Sequence, residues 1–313
     1  MPFHSVMIAD TPSRFLSAYG DGSSFPPDLE PAVPRAIMLV SPHGFRVSEE
    51  SSGDNHYMQL GSRVDPERAF AQHAGVADTI MRLGPPVIYF SGRPGFDDGI
   101  YPNNAFGTVR GRLVVGHMRH GVRQEETRRQ DIRSFFTDTL GYEIRDLSEQ
   151  SGIAELTGAL VIDRARGIGL CGLSGRADKE GCAAMHEAFE LRLSFCFDLD
   201  PQEYHTNIVL AVPAGRACLI HAASFVDPEA AAAIATVYEG RTILLTDEEK
   251  EHFAGNCLAI TEQDLLFSQT ALDALLPTSR GKLEELGFRL HGAQIDELEK
   301  GGGSLRCLLA EVF

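Results

Sequence analysis

Short apolar runs alternate with amphipathic stretches along most of the chain. Apolar runs of about four to eight residues, bounded by Gly, Pro, Asn or Asp, are typical of strands. Runs of this kind are "AIMLVS" from residue 36, "PVIYF" from 86, "RLVVGHM" from 112, "ALVIDR" from 159, "GIGLCGLS" from 167, "LSFCFDL" from 193, "NIVLAV" from 207, "ACLIHA" from 217, "TILLT" from 242, "NCLAI" from 256, "DLLFS" from 264 and "LRCLLAEVF" from 305.

Helices are predicted between these runs, where apolar residues recur at helical spacing over 66–83, 123–140, 228–238 and 270–287. Tight polar turns join the strands within "ALVIDRARGIGLCGLS" and "NIVLAVPAGRACLIHA", which predicts antiparallel hairpins. We therefore expect an α/β protein built from repeated strand-rich modules. No strict sequence repeat is visible, so any internal symmetry would be structural.

The first 34 residues are rich in Pro, Gly and Ser, as in "SAYGDGSSFPPDLEPAVP", and predict a loosely ordered lead-in over 1–34. No linker follows, which predicts a single domain over 35–313. The start of the chain lacks the order of a secretory signal, so a cytoplasmic location is the default expectation.

The charge balance limits the classes of partner. A formal net charge of −16 argues against nucleic acid, whose backbone is bound by excess Lys and Arg. No run approaches the roughly 18 apolar residues of a membrane helix. The one basic run, "RHGVRQEETRRQDIR", is interleaved with acidic residues and predicts an exposed, salt-bridged helical face.

Neither the cysteines nor the histidines predict a metal site. The six cysteines have no CxxC spacing, which favours reduced thiols over a disulfide framework or a zinc site. His117 and His120 in "GHMRH" have a metal-like spacing, but no further ligand set accompanies them and a solvated face is favoured.

Four polar spots lie at the ends of predicted strands. "DDGIYPNNAFGT" contains Asn103 and Asn104 and by itself predicts a turn. Glu155 precedes the apolar run of "IAELTGALVIDR", and a glutamate in that position usually lies at the solvent-exposed end of a strand. In "YHTNIVLAV", His205 and Asn207 are two residues apart on a predicted strand, so we expect their side chains to share one face.

The fourth spot is "GGGSLRCLLAEVF", in which three glycines and a serine lead to Arg306 and Cys307. Glycines let the chain fold tightly around a neighbour. Alone, Cys307 is as consistent with a small buried side chain as with a nucleophile, since unpaired Cys is often buried. If the four spots converge, they supply a thiol nucleophile, an imidazole acid/base, a carboxylate and amide groups.

These motifs resemble the arginine deiminase-related proteins of the guanidino-group-modifying (amidinotransferase, or pentein) superfamily, especially its citrulline-utilisation hydrolases. The resemblance covers residues 36–313 and is carried by "GIYPNNAFGT", "ELTGALVIDR", "LSGR", "YHTNIVLAV", "HFAGNCLAI" and "GGGSLRCLLAEVF". It implies an α/β fold, a five-bladed propeller of strand-rich modules with pseudo-fivefold symmetry.

The resemblance also implies residue roles. Cys307 matches the nucleophile, His205 the general acid/base, and Glu155 a glutamate that holds guanidine nitrogens. Asn104, preceded by Asn103, and Asn207 stand where arginine deiminases carry two substrate-binding aspartates.

The arginines of two motifs complete the implied site. Arg176 of "LSGR" and Arg306 match arginines that neighbour or bind the substrate carboxylate. Leu156 replaces the glycine of the usual "EGTG", a difference that leaves the substrate open. Asn256 and Gly255 of "HFAGNCL" are interpreted as structural.

The implied reaction is hydrolysis of a C–N bond in the guanidino or ureido group of an arginine-like amino acid, through a covalent thiouronium and with no metal or organic cofactor. Arginine deiminase, arginine dihydrolase and citrulline hydrolase activities all fit. Dimethylarginine hydrolysis, amidino transfer and a non-catalytic binding module remain alternatives. The small amino acid is the expected partner, with neither nucleic acid nor a membrane, and the sequence leaves a homo-oligomer open.

Overall fold

The computed structural model describes residues 7–313. Within this range the strands are β1 (Ile8–Ala9), β2 (Ala36–Val40), β3 (Val87–Phe90), β4 (Phe106–Val109), β5 (Arg112–Val115), β6 (Glu143–Asp146), β7 (Leu160–Asp163), β8 (Ile168–Leu173), β9 (Leu193–Asp198), β10 (Leu210–Ala211), β11 (Cys218–Ile220), β12 (Thr242–Leu244), β13 (Leu258–Ala259), β14 (Asp264–Ser268), β15 (Arg289–Ala293) and β16 (Ala310–Val312).

The α-helices of the same range include several of one turn. They are α1 (Pro12–Tyr19), α2 (Pro66–Leu83), α3 (Gly121–Thr127), α4 (Gln130–Ser134), α5 (Leu156–Ala159), α6 (Lys179–Ala188), α7 (Thr206–Val209), α8 (Pro228–Val237), α9 (Asp247–Glu251), α10 (Gln269–Ala274), α11 (Pro277–Glu285), α12 (Asp296–Glu299) and α13 (Leu305–Leu308). A π-helical turn, Phe135–Thr139, continues α4.

The strands form separate small sheets that share one plan. In four of them, an antiparallel hairpin is followed by one or two helices and a third strand that pairs in parallel with the second strand of the hairpin; in the fifth, β16 takes the place of the hairpin's first strand beside β2. The sheets are β16-β2-β3, β4-β5-β6, β7-β8-β9, β10-β11-β12 and β13-β14-β15, with β1 added in parallel beside β9. The expectation of an α/β protein made of repeated strand-rich modules is thus confirmed.

The first and last modules of the chain share one sheet, because β16 pairs antiparallel with β2. The alanine Ala310 of β16 lies opposite Met38 of β2, and both are buried. The C-terminal strand is therefore fixed in the core, and it anchors the helical turn α13 that precedes it.

Several predicted elements have the expected bounds, and others are broken. The predicted helix 66–83 has the same bounds as α2. The Asp65 side chain caps its start by accepting a hydrogen bond from the backbone nitrogen of Arg68, and the helix ends at Gly84. The predicted helix 123–140 divides into α3, α4 and the π-helical turn. The predicted helix 270–287 is interrupted before Pro277, which has no backbone N–H to continue α10.

Part of the expected loose lead-in is ordered. Strand β1 pairs with β9, and α1 packs Phe15 onto Phe195 with ring centroids 4.6 Å apart. The side chain of Thr11 caps the start of α1. Residues 8–19 are therefore docked on the β7-β8-β9 sheet, in contrast to the sequence expectation; residues 1–6 of the lead-in lie outside the described residues.

The expectation of six reduced thiols is wrong for one pair. Cys182 of α6 and Cys196 of β9 form a disulfide between residues 14 apart in sequence. The other four cysteines, including Cys307, are free and buried. The two partners come together because α6 packs across the sheet that contains β9, a contact that cysteine spacing does not reveal.

Candidate active site

Most of the predicted site residues occupy equivalent places in the repeated modules, in the short turn that precedes the first strand of a sheet. These positions are Asn104 before β4, Glu155 before β7, His205 and Asn207 before β10, and Cys307 before β16; Asn256, interpreted as structural on sequence, has the same place before β13. Arg176 is the exception, since it follows β8. The same segment of every module therefore supplies at least one polar or nucleophilic side chain.

The thiol of Cys307 is buried between two asparagine side chains. Its Sγ lies 3.5 Å from Nδ2 of Asn256 and 3.8 Å from Nδ2 of Asn207. Burial raises the pKa of the thiol, an effect that the Ser304 backbone and the Asn256 amide partly offset. In the free protein Cys307 is therefore a neutral thiol with amide donors ready to stabilise the thiolate.

Asn256 holds this arrangement together, and the sequence interpretation of it as purely structural missed its contact with the thiol. Its Nδ2 donates to the backbone oxygen of Asn207 at 2.9 Å, and its Oδ1 accepts from the backbone nitrogen of Arg306 at 2.9 Å. The signal that could have found it is its place before the first strand of its module, which matches that of Cys307.

The glycines before Cys307 are required by close packing against Tyr101. A Cβ on Gly303 would lie 2.9 Å from the Tyr101 ring, and one on Gly301 would lie 2.6 Å from its hydroxyl. Gly302 has a φ of 76°, a conformation that favours glycine. The predicted role of the glycines, tight folding of the chain near Cys307, is confirmed.

Glu155 and His205 form a buried pair. Nε2 of His205 lies 2.8 Å from Oε2 of Glu155, and Nη1 of Arg176 donates to the same oxygen at 3.2 Å. Although burial alone would raise it, Arg176 and His205 hold the pKa of Glu155 well below its usual range. Burial lowers the pKa of His205, an effect that Glu155 opposes.

The second ring nitrogen of His205, Nδ1, is buried and has no hydrogen-bond partner. Gly158 lies against this ring and against Asn104, since a Cβ on Gly158 would lie 2.8 Å from Cε1 of His205 and 2.4 Å from Oδ1 of Asn104. Oδ1 of Asn104 also lacks a partner. Two neighbouring side chains thus each leave one buried polar atom without a protein partner.

A small cavity of about 20 Å³ lies over the thiol. Its wall includes Cys307, Asn104, Arg176, Arg123 and Asp98. A space of this size holds about one water molecule. The cavity brings together three of the residues expected from sequence and adds two that were not expected.

Arg123 and Asp98 are the additions. Arg123 is 2% exposed, and its guanidinium pairs with Glu126 at 2.9 Å and donates to the backbone oxygen of Tyr101 at 3.1 Å. Burial raises the pKa of Asp98, whose Oδ2 accepts from Ser51 while Oδ1 has no partner. A buried carboxylate and a buried guanidinium therefore line the same cavity.

The prediction of an exposed face for the basic run is wrong at its centre. Arg123, Glu126 and Arg129 are buried: Arg123 of α3 lines the cavity and pairs with Glu126, and Arg129, two residues after α3, donates to the Ser91 backbone oxygen. Alternating charge predicts a solvated helix only where an apolar stripe faces the core, and α3 lacks one. A buried Arg–Glu pair in a basic run gives no local sequence signal.

A segment around residues 51–58 covers the cavity. Its Asp54 accepts two hydrogen bonds from Arg176, at 2.9 Å from Nε and 2.6 Å from Nη2. Asn55 and Met58 of the same segment approach Gly302. Arg176 therefore links the covering segment to Glu155 at the base of the site.

Three of the five predicted substrate-binding residues, Asn207, Arg306 and Asn103, do not line the Cys307 cavity, although the Asn207 amide contacts the thiol. His205 and Glu155 do not line it either. The Arg306 guanidinium donates to the Leu309 backbone oxygen and to Glu311, both within 2.7 Å, and lines a separate cavity of about 40 Å³. The Asn103 side chain is fully buried and has no partner. It does not line the cavity, unlike its neighbour Asn104.

The local structure around His205 also differs from the expected strand. His205 begins the helical turn α7, and Asn207 lies within that turn, so the two do not share the face of a strand. Leu156, the departure from "EGTG", is buried in the apolar core beside Phe189, and a Cβ on Gly107 would meet both side chains. Its side chain therefore fills the core and does not line the Cys307 cavity.

Two structural findings concern other kinds of site. Across residues 7–313, no group of three or more His, Cys, Asp or Glu side chains is arranged to hold a metal ion. In the same part of the chain, no helix has the length and apolar character needed to cross a bilayer.

Comparison with known proteins finds relatives across most of the chain. A family model described as N,N dimethylarginine dimethylhydrolase, eukaryotic, matches residues 41–313. The N(G),N(G)-dimethylarginine dimethylaminohydrolase of Mycobacterium tuberculosis is 23% identical over 265 residues, which cover 82% of this chain and 80% of that protein.

Two solved structures have a similar fold. The N-terminal domain of ArgZ, an arginine dihydrolase from the ornithine-ammonia cycle in cyanobacteria, was solved with bound substrate and superposes with a TM-score of 0.77. It is 20% identical, with 88% of this chain and 97% of that chain covered. A dimethylarginine dimethylaminohydrolase in adduct with S-methyl-L-thiocitrulline gives a TM-score of 0.69 at 17% identity, covering 89% of this chain and 100% of that chain.

Proposed function

Because the chain belongs to the N,N dimethylarginine dimethylhydrolase family, we propose that it is a cysteine-dependent hydrolase of a C–N bond in the guanidino or ureido group of an arginine-like amino acid. The observation that carries the proposal is the position of the Cys307 thiol, buried between two asparagine amides in a cavity that also contains Asp98, Arg123 and Arg176. A purely structural thiol would have an apolar environment.

Cys307 is the proposed nucleophile. The Sγ atom attacks the central carbon of the guanidino or ureido group while the proton of the thiol passes to the imidazole of His205. The bond from that carbon to the departing nitrogen then breaks, and His205 returns a proton to the amine. Water then adds to the carbon of this adduct, a thiouronium from a guanidino group or a thiocarbamate from a ureido group, as His205 takes the proton of the water; the C–S bond breaks, and the thiol is restored.

His205 suits the acid/base role because only one of its nitrogens is occupied. Nε2 is bound to Glu155, whereas the buried Nδ1 has no partner and is available to exchange protons. Both oxygens of Glu155 have protein donors, the Arg119 backbone nitrogen at Oε1 and Nε2 of His205 at Oε2. We therefore propose that Glu155 orients the His205 ring and raises its pKa, which favours the protonated form.

The substrate's reacting end is proposed to lie among amides. Asn207 and Asn256 flank the sulfur, and Asn104 offers a free oxygen. Amides donate and accept hydrogen bonds without charge, so they accommodate a neutral ureido group as well as a guanidinium. Asp98, with one free oxygen, supplies the carboxylate for a cationic nitrogen.

The other end of the amino acid is proposed to meet Arg176 and Arg123. Arg176 already binds a carboxylate with two parallel hydrogen bonds, that of Asp54. A substrate carboxylate would take the place of Asp54. The cavity of about 20 Å³ is too small for an amino acid, so the segment around residues 51–58 must move to admit one.

We also propose that the five modules surround a pseudo-fivefold axis as a propeller, and that residues 35–313 form one catalytic domain. The shared hairpin-helix-strand plan of the sheets supports this arrangement. So does the pairing of β16 with β2, which joins the two ends of the series in one sheet. A site built from equivalent turns of every module is what an axis of this kind would produce.

The test is a substrate screen with L-arginine, L-citrulline, dimethylarginine and agmatine, in which ammonia, alkylamines, citrulline and ornithine are all quantified. We expect ornithine from citrulline or arginine. Cys307→Ser is expected to lose turnover by about 10³-fold or more while its thermal stability is kept. Activity of Cys307→Ser near that of the unaltered protein would refute the assignment. Release of one ammonia from arginine with stable citrulline would refute ureido hydrolysis.

Dimethylarginine is a second candidate substrate, favoured by the family match over residues 41–313. Its hydrolysis releases dimethylamine and citrulline, so the same screen separates it from the first candidate. Agmatine lacks the carboxylate and serves as the matched control for the role of Arg176 and Arg123. Turnover of agmatine as efficient as that of the amino acids would contradict that role.

A further inference from the structure

Arg164 is a buried arginine that forms no ion pair: the nearby Glu311 carboxylate raises its pKa but is hydrogen-bonded to Arg306. The residue is 9% exposed, and of its guanidinium nitrogens only Nη1 has a hydrogen-bond acceptor, the Thr108 backbone oxygen at 3.0 Å. Nε and Nη2 have no partner. Buried guanidinium groups are normally paired, so two vacant donors need an explanation.

The surroundings of Arg164 hold its guanidinium in place without satisfying it. Its carbon atom Cζ lies 4.3 Å from the centroid of the Phe313 ring and 5.3 Å from that of Phe189. The planar group is thus held against aromatic faces, which fixes the direction of its donors. Burial lowers the pKa of Arg164 to about 10, which leaves it charged at neutral pH.

Arg164 lines two cavities, one of about 40 Å³ that it shares with Arg306 and Glu311, and one of about 490 Å³, a size typical of small-molecule sites. This cavity is far larger than the one of about 20 Å³ at Cys307 and shares none of its lining residues. Phe189, Leu191 and Phe313 form part of its apolar wall, and Arg35 and Arg110 add two exposed guanidinium groups.

The acidic groups at this cavity do not neutralise its arginines. The Glu190 carboxylate pairs with Arg112, which lies outside the cavity lining, and Glu30 is exposed. The wall that faces a ligand therefore combines positively charged side chains with apolar ones. A molecule with a carboxylate and an apolar body matches both.

We infer that this cavity is a second ligand site, for a small amphipathic carboxylate. The carboxylate is drawn to the guanidinium of Arg164, whose unpartnered Nε and Nη2 are buried in the free chain and come within hydrogen-bond reach when the surrounding side chains shift, and its apolar body packs on Phe189, Leu191 and Phe313. Arg110 and Arg35 attract the anion from solvent. The site is independent of the hydrolytic reaction proposed for Cys307.

The test uses hexanoate as the probe and hexanamide as its neutral match, titrated into the full chain by calorimetry. Hexanoate is expected to bind saturably with one site per chain, and hexanamide about tenfold or more weakly, since charge-assisted hydrogen bonds are the stronger kind. No saturable binding of hexanoate, or equal binding of both probes, would overturn the inference.

Variants locate the binding. Arg164→Met keeps an unbranched apolar side chain at this position and removes the donors, and it should weaken the binding of hexanoate by about tenfold or more. Arg110→Gln alters an exposed residue that the fold does not need and should weaken it severalfold, which keeps the test decisive if Arg164→Met fails to fold. Arg82→Gln, an exposed arginine outside the cavity, should leave binding unchanged.

Cys307→Ser separates this site from the catalytic one. It should bind hexanoate as tightly as the unaltered chain. Loss of hexanoate binding in Cys307→Ser, or full binding in both Arg164→Met and Arg110→Gln, would place the probe elsewhere and overturn the inference. Because the readout is binding and not turnover, failure of the proposed hydrolase function would leave this test intact.

Discussion

Nδ2 of Asn256 lies 3.5 Å from Sγ of Cys307, while Oδ1 of the same amide accepts from the backbone nitrogen of Arg306 at 2.9 Å. One side chain thus donates toward the proposed nucleophile and holds the backbone of the residue before it. Asn256 was interpreted as structural on sequence, but its side chain contacts the thiol directly.

Asn256→Ala should lower kcat by about tenfold or more, because a thiolate loses a hydrogen bond to its charged form. The apparent pKa of Cys307 should rise, since the Asn256 amide is one of the groups that lower it. Steady-state kinetics and the pH profile of thiol alkylation would measure both effects. A fall in kcat with an unchanged thiol pKa would indicate a structural role alone. Asn55→Ala, which alters the segment that covers the cavity, is the control for general damage to the cavity.

The free protein should alkylate slowly at Cys307 near neutral pH. Burial raises the pKa of this thiol above its ordinary value, so the reactive thiolate forms only as the pH rises through that higher value. A bound guanidinium should reverse the shift, because a positive charge favours the thiolate. Iodoacetamide labelling followed by peptide mass analysis, with and without a non-reacting guanidino amino acid, would test this. Fast labelling of the unliganded protein at neutral pH would contradict it.

Glu155→Gln should reduce kcat by about 10²-fold or more. Glu155 raises the pKa of His205 against the effect of burial, so its neutral replacement should lower that pKa further. The acid limb of the kcat profile should then move to lower pH. His221→Gln, which alters a buried histidine that is hydrogen-bonded to Ser224 and Asp247 and not to Glu155, is the control and should leave the profile in place. An unmoved acid limb in Glu155→Gln would mean that His205 is not the group that titrates.

Asp54→Ala should lower KM severalfold with little change in kcat. Asp54 occupies Arg176 with two hydrogen bonds in the free protein, so a substrate carboxylate must displace it. Removal of the competitor should favour the substrate. Asp97→Ala, which removes a carboxylate bound to the exposed Arg46, is a control. A raised KM would instead show that Asp54 helps to close the covering segment over the substrate.

The disulfide between Cys182 and Cys196 should stabilise the fold by about 3 kcal/mol, the value expected for a closed loop of this length. Its reduction should therefore lower the melting temperature. Alkylation of the denatured, unreduced protein should modify four of the six cysteines, as the free thiols indicate. Six modified cysteines would show that the bond is absent. Cys171→Ala, beside Cys196 in the paired strand, should keep the disulfide and is the control.

Much of the local structure could be predicted from the sequence. Strand runs such as "AIMLVS" and "DLLFS" became β2 and β14, and α2 has the predicted bounds, because apolar periodicity and capping residues are local properties. The prediction failed at "NIVLAV", which begins as the helical turn α7 before the short strand β10. Apolar residues buried on every side give the same pattern in either conformation.

The sequence by itself determined the modules, the glycine-rich approach to Cys307 and, through family resemblance, the residues worth testing. The tertiary structure alone decided which of them meet. It placed Asn256 and Arg123 at the thiol cavity, turned the Arg306 side chain toward Glu311, and paired Cys182 with Cys196. The reason is physical: burial and charge pairing join residues far apart in sequence, and no local pattern records which neighbour a side chain will face.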